Sequence, residues 1–289
     1  MNVMVVGCGA MGKKHVSVLK QISDTKVFMV DPASSDLEVF SSIDAVLSKN
    51  KIDFAVIATP TKTHYDIACQ LLQSKISVLI EKPVFHDLVD KEQLLNLASK
   101  NNCKLAVGHI ERFNPAVVAL KNELANQKVL HAKFERLSPF PNRVMDVGVK
   151  LDLAIHDVDL INFILPSKIK SCTSGKTRAF ADNEDTAAFL FNLEDGSTAS
   201  VLTSWLSPFR RRGIEVLTDK NFYEVDLINQ TAIRRTAHTC NSHTSHNVFI
   251  NKHNALKVQL ESFMSYVKNN EIGNLATIED GYEALGYVL

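Results

Sequence analysis

Short apolar runs alternate with amphipathic segments through the first third of the chain. Runs of β-branched and other apolar residues are separated by stretches in which apolar residues recur at helical spacing. Strands separated by helices in this way pair in parallel, with both faces of the sheet covered. The pattern therefore predicts an α/β domain with a doubly wound parallel sheet over residues 1–113. Its predicted strands run from Asn2 to Val6, Lys26 to Asp31, Phe54 to Ala58, Ser77 to Ile80 and Lys104 to Gly108, with a first helix from Met11 to Ile22.

The pattern changes after residue 113, where predicted strands follow one another with few helices between them. A strand is predicted from Val129 to Leu137 and a helix from Leu151 to Leu165. Turn signals such as Asp195-Gly196 favour hairpins and antiparallel pairing among the later strands. Those strands run from Lys170 to Thr177, Thr186 to Leu193, Thr198 to Leu206, Gly213 to Thr218 and Phe222 to Leu227. We expect an α+β domain over residues 114–289 with a large, mostly antiparallel open sheet. Its uncovered apolar face favours a homo-oligomer, a dimer or tetramer.

Composition and charge limit the kind of partner. The 289 residues include 32 basic and 32 acidic side chains, so no net field favours a nucleic acid or an anionic membrane. Apolar runs are far shorter than a membrane span, and the first strand follows the initial methionine without a basic leader. Five cysteines without a CxxC pair are typical of reduced thiols. We expect a cytoplasmic protein with a small-molecule partner.

A glycine-rich turn links the first predicted strand to the first predicted helix. The sequence Gly7-Cys8-Gly9-Ala10-Met11-Gly12 matches GxGxxG. In a Rossmann domain the first glycine allows the tight turn, the second lets the backbone approach a pyrophosphate and the third permits close helix packing. With Ala10 and Met11, the loop and helix amino terminus would hold a dinucleotide. The alternative is a glycine turn that serves packing alone.

Asp31 ends the second predicted strand and bears on the choice of dinucleotide. A carboxylate there binds the adenosine ribose hydroxyls and repels a 2′-phosphate, and no arginine follows within Pro32–Ser35. NAD is therefore favoured over NADP, although Ser34 and Ser35 are donors that a phosphate would accept. The alternative role of Asp31 is a cap on the following turn.

Two further motifs carry candidate chemistry. Glu81-Lys82-Pro83 follows an apolar run, at the carboxyl end of a buried strand, where ligands bind in open α/β sheets. Asp152 and His156 are four residues apart on a predicted helix, so the carboxylate can orient the imidazole as a general base. Asp159 could serve similarly, whereas Asp157 should point elsewhere. On this motif alone, a surface capping or salt-bridge arrangement is the favoured interpretation.

These motifs together resemble the glucose-fructose oxidoreductase, inositol dehydrogenase and MocA family over nearly the whole chain. The resemblance rests on the glycine loop, Ala58-Thr59-Pro60 with His64, Glu81-Lys82-Pro83 and Asp152-x-x-x-His156. It implies that Lys82, Asp152 and His156 surround the nicotinamide and a sugar, and that Thr59, Pro60, His64 and Glu81 contact the cofactor. His156 would accept the hydroxyl proton, Asp152 would orient it, and Lys82 would polarise the reacting oxygen. Family members differ over which residue is the base.

A narrower resemblance concerns the substrate. Residues 107–116, VGHIERFNPA, and 146–160, DVGVKLDLAIHDVDL, resemble the branch that includes UDP-N-acetylglucosamine 3-dehydrogenases. This implies oxidation of a secondary hydroxyl, at C3, of a sugar nucleotide such as a UDP-N-acetylhexosamine, with Arg112 and Asn114 lining the substrate side. For Arg112 the alternative is an inter-domain ion pair, and His109 is equally well explained as a packed hinge residue.

Two other clusters stand out. Arg210-Arg211-Arg212 is the densest positive cluster, and on a strand Arg210 and Arg212 share a face that could bind a diphosphate. A solvated edge without a ligand explains it equally well. The tract from His238 to His246 matches no closed zinc pattern, so we expect no metal site and a polar loop there.

Two rival functions remain at this level. The first is a dehydrogenase of a free sugar or cyclitol, for which the arginine cluster would be dispensable. The second is a non-catalytic dinucleotide-binding sensor or assembly subunit. The presence of Lys82 together with Asp152 and His156 argues against that second rival.

Overall fold

The first third of the chain folds into a parallel six-stranded sheet, in the order β3-β2-β1-β4-β5-β6. The computed structural model describes residues 1–89, 91–141, 147–180, 182–239 and 242–289. β4 and β5 are buried along their whole length, as expected for strands covered on both faces. The predicted doubly wound sheet is thus confirmed. The strands are β1 Asn2–Val6, β2 Lys26–Val30, β3 Val39–Phe40, β4 Phe54–Ile57, β5 Ser77–Glu81 and β6 Leu105–Gly108.

Helices cover this sheet, including two from the end of the chain. Among the described residues of both units, the α-helices are α1 Ala10–Leu19, α2 Ile43–Leu47, α3 His64–Gln73, α4 Lys91–Lys100, α5 Pro115–Leu124, α6 Ile155–Ile164, α7 Ala255–Asn269 and α8 Ile278–Val288, and α5 and α6 lie in the second unit. Asn254 caps α7 by accepting from the backbone N–H groups of Leu256 and Lys257. Phe263 of α7 packs edge-to-face on Phe54 of β4, with 5.3 Å between ring centroids. α7 therefore belongs to the core of the first unit.

The chain divides into one unit of residues 1–110 with 254–285 and a second of residues 111–253 with 286–289. The consecutive segments expected from the sequence, 1–113 and 114–289, do not include this return of the chain. Helical spacing predicts a helix without indicating which sheet it will cover. The expected domain boundaries remain a prediction.

The second unit contains an eight-stranded sheet in the order β14-β13-β12-β11-β7-β10-β9-β8. β7 and β10 run parallel, and the other neighbouring pairs are antiparallel. The predicted mostly antiparallel sheet is confirmed. Its strands are β7 Val129–Leu137, β8 Ile169–Thr177, β9 Thr186–Leu193, β10 Thr198–Ser204, β11 Arg211–Thr218, β12 Asn221–Asp226, β13 Thr231–Thr239 and β14 Ser242–Asn247.

The expected polar loop from His238 to His246 is wrong over the part that the structure describes. β13 continues through Thr239, and β14 pairs with it in antiparallel register from Ser242 onward, while Cys240 and Asn241 lie outside the described residues. Every residue of β14 is exposed, so this edge strand lacks the apolar alternation that would have indicated a strand. Over the described residues, no cluster of three His, Cys, Asp or Glu side chains could hold a metal ion. No helix in the described ranges has the length and apolar character needed to cross a membrane.

Candidate active site

The glycine loop has three distinct glycine environments. Gly7 has φ +96°, and a Cβ there would lie 2.6 Å from the Ala58 carbonyl oxygen. A Cβ on Gly12 would lie 1.8 Å from the Gly7 carbonyl oxygen, whereas one on Gly9 meets nothing within 4 Å. Gly7 and Gly12 are therefore required by packing. Gly9 precedes α1 without a side-chain cap, which leaves open space before the helix amino terminus, where a pyrophosphate would fit.

Asp31 connects this loop to the turn after β2. Its Oδ2 accepts a hydrogen bond from the Cys8 backbone N–H at 2.8 Å, and its Oδ1 accepts from the Ala33 N–H at 3.0 Å. The expected turn cap is thus present. The same carboxylate is also fixed beside the glycine loop, which is the position that a ribose-binding carboxylate requires.

Glu81 and Lys82 lie at the end of β5, the strand predicted to lead into the site. Glu81 is the last residue of the strand and is buried, and its Oε1 lies 2.6 Å from Nε2 of His15 on α1. Lys82 follows immediately and is half-buried. His15 was not among the predicted site residues. Its signal in the sequence is a histidine among the buried residues of α1, which are otherwise Gly12, Val16, Val18 and Leu19.

His64 joins the loops that follow β4 and β5. Its Nε2 lies 3.0 Å from the Thr59 carbonyl oxygen, and its Nδ1 lies 3.1 Å from that of Pro83 and 3.2 Å from that of Val84. The ring is only 1% exposed, which favours a bracing role over the expected cofactor contact. Burial lowers the pKa of His64, and the surrounding carbonyls offset this only in part. The exposed Pro60 and half-buried Thr59 follow β4 at the rim that His64 braces.

Asp152 and His156 lie on one continuous helical segment of the second unit. Asp152 is within a π-helical turn, Lys150–Ala154, and His156 is in the first turn of α6. The Ile155 N–H donates to the Lys150 carbonyl five residues back. Both side chains are half-buried. The π-turn was not predicted, and such turns recur at functional sites.

The acidic residues after His156 are held by arginines. Asp157 accepts hydrogen bonds from Nε of Arg136 at 3.1 Å and from its Nη2 at 2.8 Å. Asp159 accepts from Nε of Arg112 at 2.9 Å and from its Nη2 at 2.6 Å. Asp159 is therefore engaged with an arginine, a contact that does not favour its expected alternative role in orienting His156.

The candidate substrate residues Arg112 and Asn114 are both buried in the second unit. The Arg112 guanidinium also lies over the Phe163 ring, 5.0 Å from its centroid. Asn114 caps α5 by accepting from the Ala116 N–H, and it donates to the Leu227 carbonyl at 3.0 Å. Arg112 thus forms an ion pair, but with Asp159 of the same unit rather than the inter-domain pair given as its alternative, and the contacts of Asn114 favour a structural role for that residue. His109, which the sequence explains equally well as a packed hinge residue, is also buried.

Arg211 and Arg212 lie on opposite faces of β11, as alternation requires. Arg212 donates to Oε1 of Glu111 at 3.2 Å, while Arg211 forms an ion pair with Glu135, with its Nε 2.8 Å from Oε2. Arg210 precedes the strand and is exposed. The Arg212 side chain remains 45% exposed, so part of its donor fork faces outward.

Glu111 links Arg212 to the buried pair of Arg136 and Asp157. Its Oε1 also accepts from Nη1 of Arg136 at 2.9 Å. Burial disfavours the Glu111 carboxylate, but the charges of Arg136 and Arg212 outweigh this and lower the pKa of Glu111. Glu111, Arg136 and Asp157 form a buried ionic network that the sequence did not predict.

Family models match both parts of the chain. The model described as "Oxidoreductase family, NAD-binding Rossmann fold" matches residues 1–109, and that of the "GFO/IDH/MocA C-terminal domain" matches residues 124–224. The chain belongs to the GFO/IDH/MocA family. It is an oxidoreductase of this family, and residues 1–109 match the Rossmann fold domain of the family model.

Individual GFO/IDH/MocA relatives agree with this assignment. UDP-N-acetylglucosamine 3-dehydrogenase from Acidithiobacillus ferrooxidans is 30% identical over 240 residues, covering 80% of this chain and 75% of the relative. A solved structure of that enzyme from Acidithiobacillus ferrooxidans superposes with a TM-score of 0.90 and 25% identity, covering 100% of this chain and 95% of the other. Inositol 2-dehydrogenase from Rhizobium meliloti is 24% identical over 222 residues, covering 69% of this chain and 67% of the relative.

Proposed function

We propose that the protein is an NAD-dependent dehydrogenase that oxidises a secondary hydroxyl, at C3, of a sugar nucleotide such as a UDP-N-acetylhexosamine. The observation that carries this proposal is the position of Lys82, which directly follows β5, a fully buried interior strand of the Rossmann sheet. Ligands of such sheets bind beyond the carboxyl ends of their strands. The similarity to a UDP-N-acetylglucosamine 3-dehydrogenase supports the substrate class.

The residues of the first unit fit NAD. Gly9 leaves space for a pyrophosphate at the start of α1, beside Ala10 and Met11. The Asp31 carboxylate is held in place by two backbone N–H groups, where it can accept hydrogen bonds from ribose hydroxyls and would repel a 2′-phosphate. NAD supplies the hydride acceptor when it is bound.

The assigned catalytic roles follow from what alcohol oxidation requires. A base must take the hydroxyl proton as hydride leaves, and a cation or donor must stabilise the developing alkoxide. We assign proton removal to His156 and its orientation to Asp152. We assign stabilisation of the oxygen and contact with the nicotinamide ribose to Lys82.

The proposal is tested by incubating the purified protein with NAD or NADP and a set of UDP-sugars, free sugars and inositols. We expect reduced nicotinamide to form fastest with NAD and a UDP-N-acetylhexosamine, and mass spectrometry to show loss of two hydrogens from the sugar. Lys82→Ala and His156→Ala should abolish most of the turnover. Lys100→Ala, an exposed position at the end of α4, is the matched control. Turnover of free polyols alone would refute the sugar-nucleotide assignment.

The inositol 2-dehydrogenase relatives support a second candidate, oxidation of a free sugar or cyclitol. The two candidate substrates differ in whether they contain phosphate groups. Only a sugar nucleotide brings a diphosphate, so only that substrate should need Arg210 or Arg212.

We further propose that the protein is a homo-oligomer formed through the open face of the eight-stranded sheet. Leu190, Leu202 and Leu217 are exposed on that face. The face also carries Lys133 and Glu215, so it mixes charged with apolar residues, whereas the sequence predicted an apolar face. Light scattering on wild type and Leu202→Glu would test this proposal, because the variant should dissociate into monomers. A monomeric wild type would refute it.

We also propose the cytoplasm as the compartment. Cys8, Cys69, Cys103 and Cys172 are free thiols, as expected in a reducing environment. Cell fractionation with an antibody against the protein would test this proposal.

A further inference from the structure

His15 and Glu81 form a buried polar pair inside the first unit. His15 lies on α1, the helix that begins at the glycine loop, and is 0% exposed. Its Nε2 is 2.6 Å from Oε1 of Glu81, which ends β5 and is itself buried. The pair thus connects the helix of the dinucleotide loop to the residue immediately before Lys82.

The surroundings of His15 determine which form of the ring fits. Its Nδ1 is buried and has no hydrogen-bond partner among the described residues. An imidazolium would place a charged N–H donor there without an acceptor, and burying an unsatisfied charged donor is costly. The neutral ring with hydrogen on Nε2 has no donor at Nδ1. The geometry therefore favours a neutral His15 whose Nε2–H donates to the Glu81 carboxylate.

Glu81 is held on more than one side. Its Oε2 accepts from the Lys82 backbone N–H at 3.3 Å. A Cβ on Gly108 of the neighbouring strand β6 would approach the Glu81 carboxylate to 3.1 Å, so the carboxylate packs closely against that glycine. With His15 bound to one oxygen and the Lys82 backbone bound to the other, the carboxylate has little freedom to rotate.

We propose that His15 is a positioning residue that fixes Glu81 and, through it, the start of the segment that presents Lys82. This inference rests on the proposed function, in which Lys82 stabilises the reacting oxygen. Misplacing a catalytic group by about 1 Å lowers turnover by up to roughly 100-fold. Loss of the His15 hydrogen bond should therefore affect turnover more than NAD binding.

The test compares four variants with wild type in the NAD and UDP-sugar assay. His15→Leu fills similar volume without a donor, and His15→Gln retains an N–H donor that can reach Glu81. Lys82→Ala reports the role of the lysine itself. Lys14→Leu, at the adjacent exposed position of α1, is the matched control. NAD affinity is measured by calorimetry, and thermal melting checks that each variant folds.

We expect His15→Leu to lower kcat by about 10- to 100-fold, with the Kd for NAD changed by less than about threefold. His15→Gln should recover most of the lost kcat, and Lys14→Leu should match wild type. The inference is overturned if His15→Leu keeps normal kcat while Lys82→Ala is impaired. It is also overturned if His15→Leu weakens NAD binding as much as it lowers kcat and the glutamine variant recovers nothing.

Failure of the proposed function would look different. In that case wild type would turn over no substrate, or Lys82→Ala would be fully active. A crystal structure of His15→Leu then decides the positioning inference on its own. The Glu81 carboxylate should have rotated and Lys82 should have moved; if both keep their places, the inference is wrong.

Discussion

Arg136 donates from Nε and Nη2 to the carboxylate of Asp157, the residue immediately after His156. Two positions further along α6, Asp159 is held in the same way by Arg112. Both pairs are buried. The helix that carries the proposed base is thus anchored on each side by a fork of charged hydrogen bonds, a geometry that limits rotation of α6.

This arrangement predicts that Arg136→Met is strongly destabilising. It leaves the buried carboxylates of Asp157 and Glu111 without their main cation, a loss that typically costs about 3–5 kcal/mol. The double variant Arg136→Met/Asp157→Asn should recover part of that loss, because one stranded charge is removed. Urea unfolding followed by circular dichroism measures both changes.

The matched control is Arg235→Met, which breaks the exposed Arg235–Glu224 pair in the same sheet. Exposed pairs contribute about 0–1 kcal/mol, so the control should be nearly as stable as wild type. Equal losses in Arg136→Met and Arg235→Met would contradict the special role of the buried network.

His64 predicts a pH dependence of stability. Its pKa is lowered by burial from an ordinary value of 6.5, so near that pH the unfolded chain binds a proton that the folded chain does not. Stability should therefore fall as the pH drops through about 6.5, until the lower folded-state pKa is passed. His64→Gln removes this titration. The free energy of unfolding of the variant should change less than that of wild type between about pH 7.5 and pH 5.5, and parallel curves would show that His64 does not contribute.

The helical segment that carries Asp152 and His156 shows how far the sequence can predict the site. Spacing placed Asp152 and His156 on one helix, because helical periodicity is local. It did not indicate that Asp157 and Asp159 pair with Arg136 and Arg112, which are 21 and 47 residues away. Such partners depend on how β7 and the segment before α5 pack against α6, which no short-range pattern encodes.

Two other features of the structure that were not predicted, β14 and His15, also have specific causes. β14 was missed because an edge strand with both faces in solvent has no apolar alternation. The buried histidine His15 was missed because its partner Glu81 is 66 residues away, across the sheet. The glycine loop, by contrast, was predictable because its turn, strand and helix are contiguous in the chain.

Alanine substitutions at two glycines of the loop should have different effects, one on NAD binding and the other on stability. Gly9→Ala places a methyl group in open space, so the fold should be unchanged, but that group would occupy the space left for the pyrophosphate. Gly12→Ala places one 1.8 Å from the Gly7 carbonyl oxygen and should lower stability by about 1–3 kcal/mol. Calorimetry should show the Kd for NAD rising at least about tenfold in Gly9→Ala, a loss of about 1.4 kcal/mol. Normal NAD affinity in Gly9→Ala would contradict the proposed cofactor position.

The two faces of β11 allow the substrate class to be tested with neighbouring arginines. Arg212 lies on the face that holds Glu111, and Arg211 lies on the open face with Glu135. If a substrate diphosphate binds the exposed part of the Arg212 fork, Arg212→Gln should raise the KM for a UDP-sugar by about 10- to 100-fold, since one charged hydrogen bond contributes roughly 1.5–3 kcal/mol. The KM for NAD should not change. Arg211→Gln removes the same charge one residue away and should leave both KM values as in wild type.

The outcomes for the two variants distinguish the two substrate classes. If both variants raise the KM for the UDP-sugar equally, the effect comes from net charge rather than from a bound diphosphate. If neither does, the oxidised substrate does not need this arginine, and the free sugars and cyclitols of the second candidate become the substrates to test.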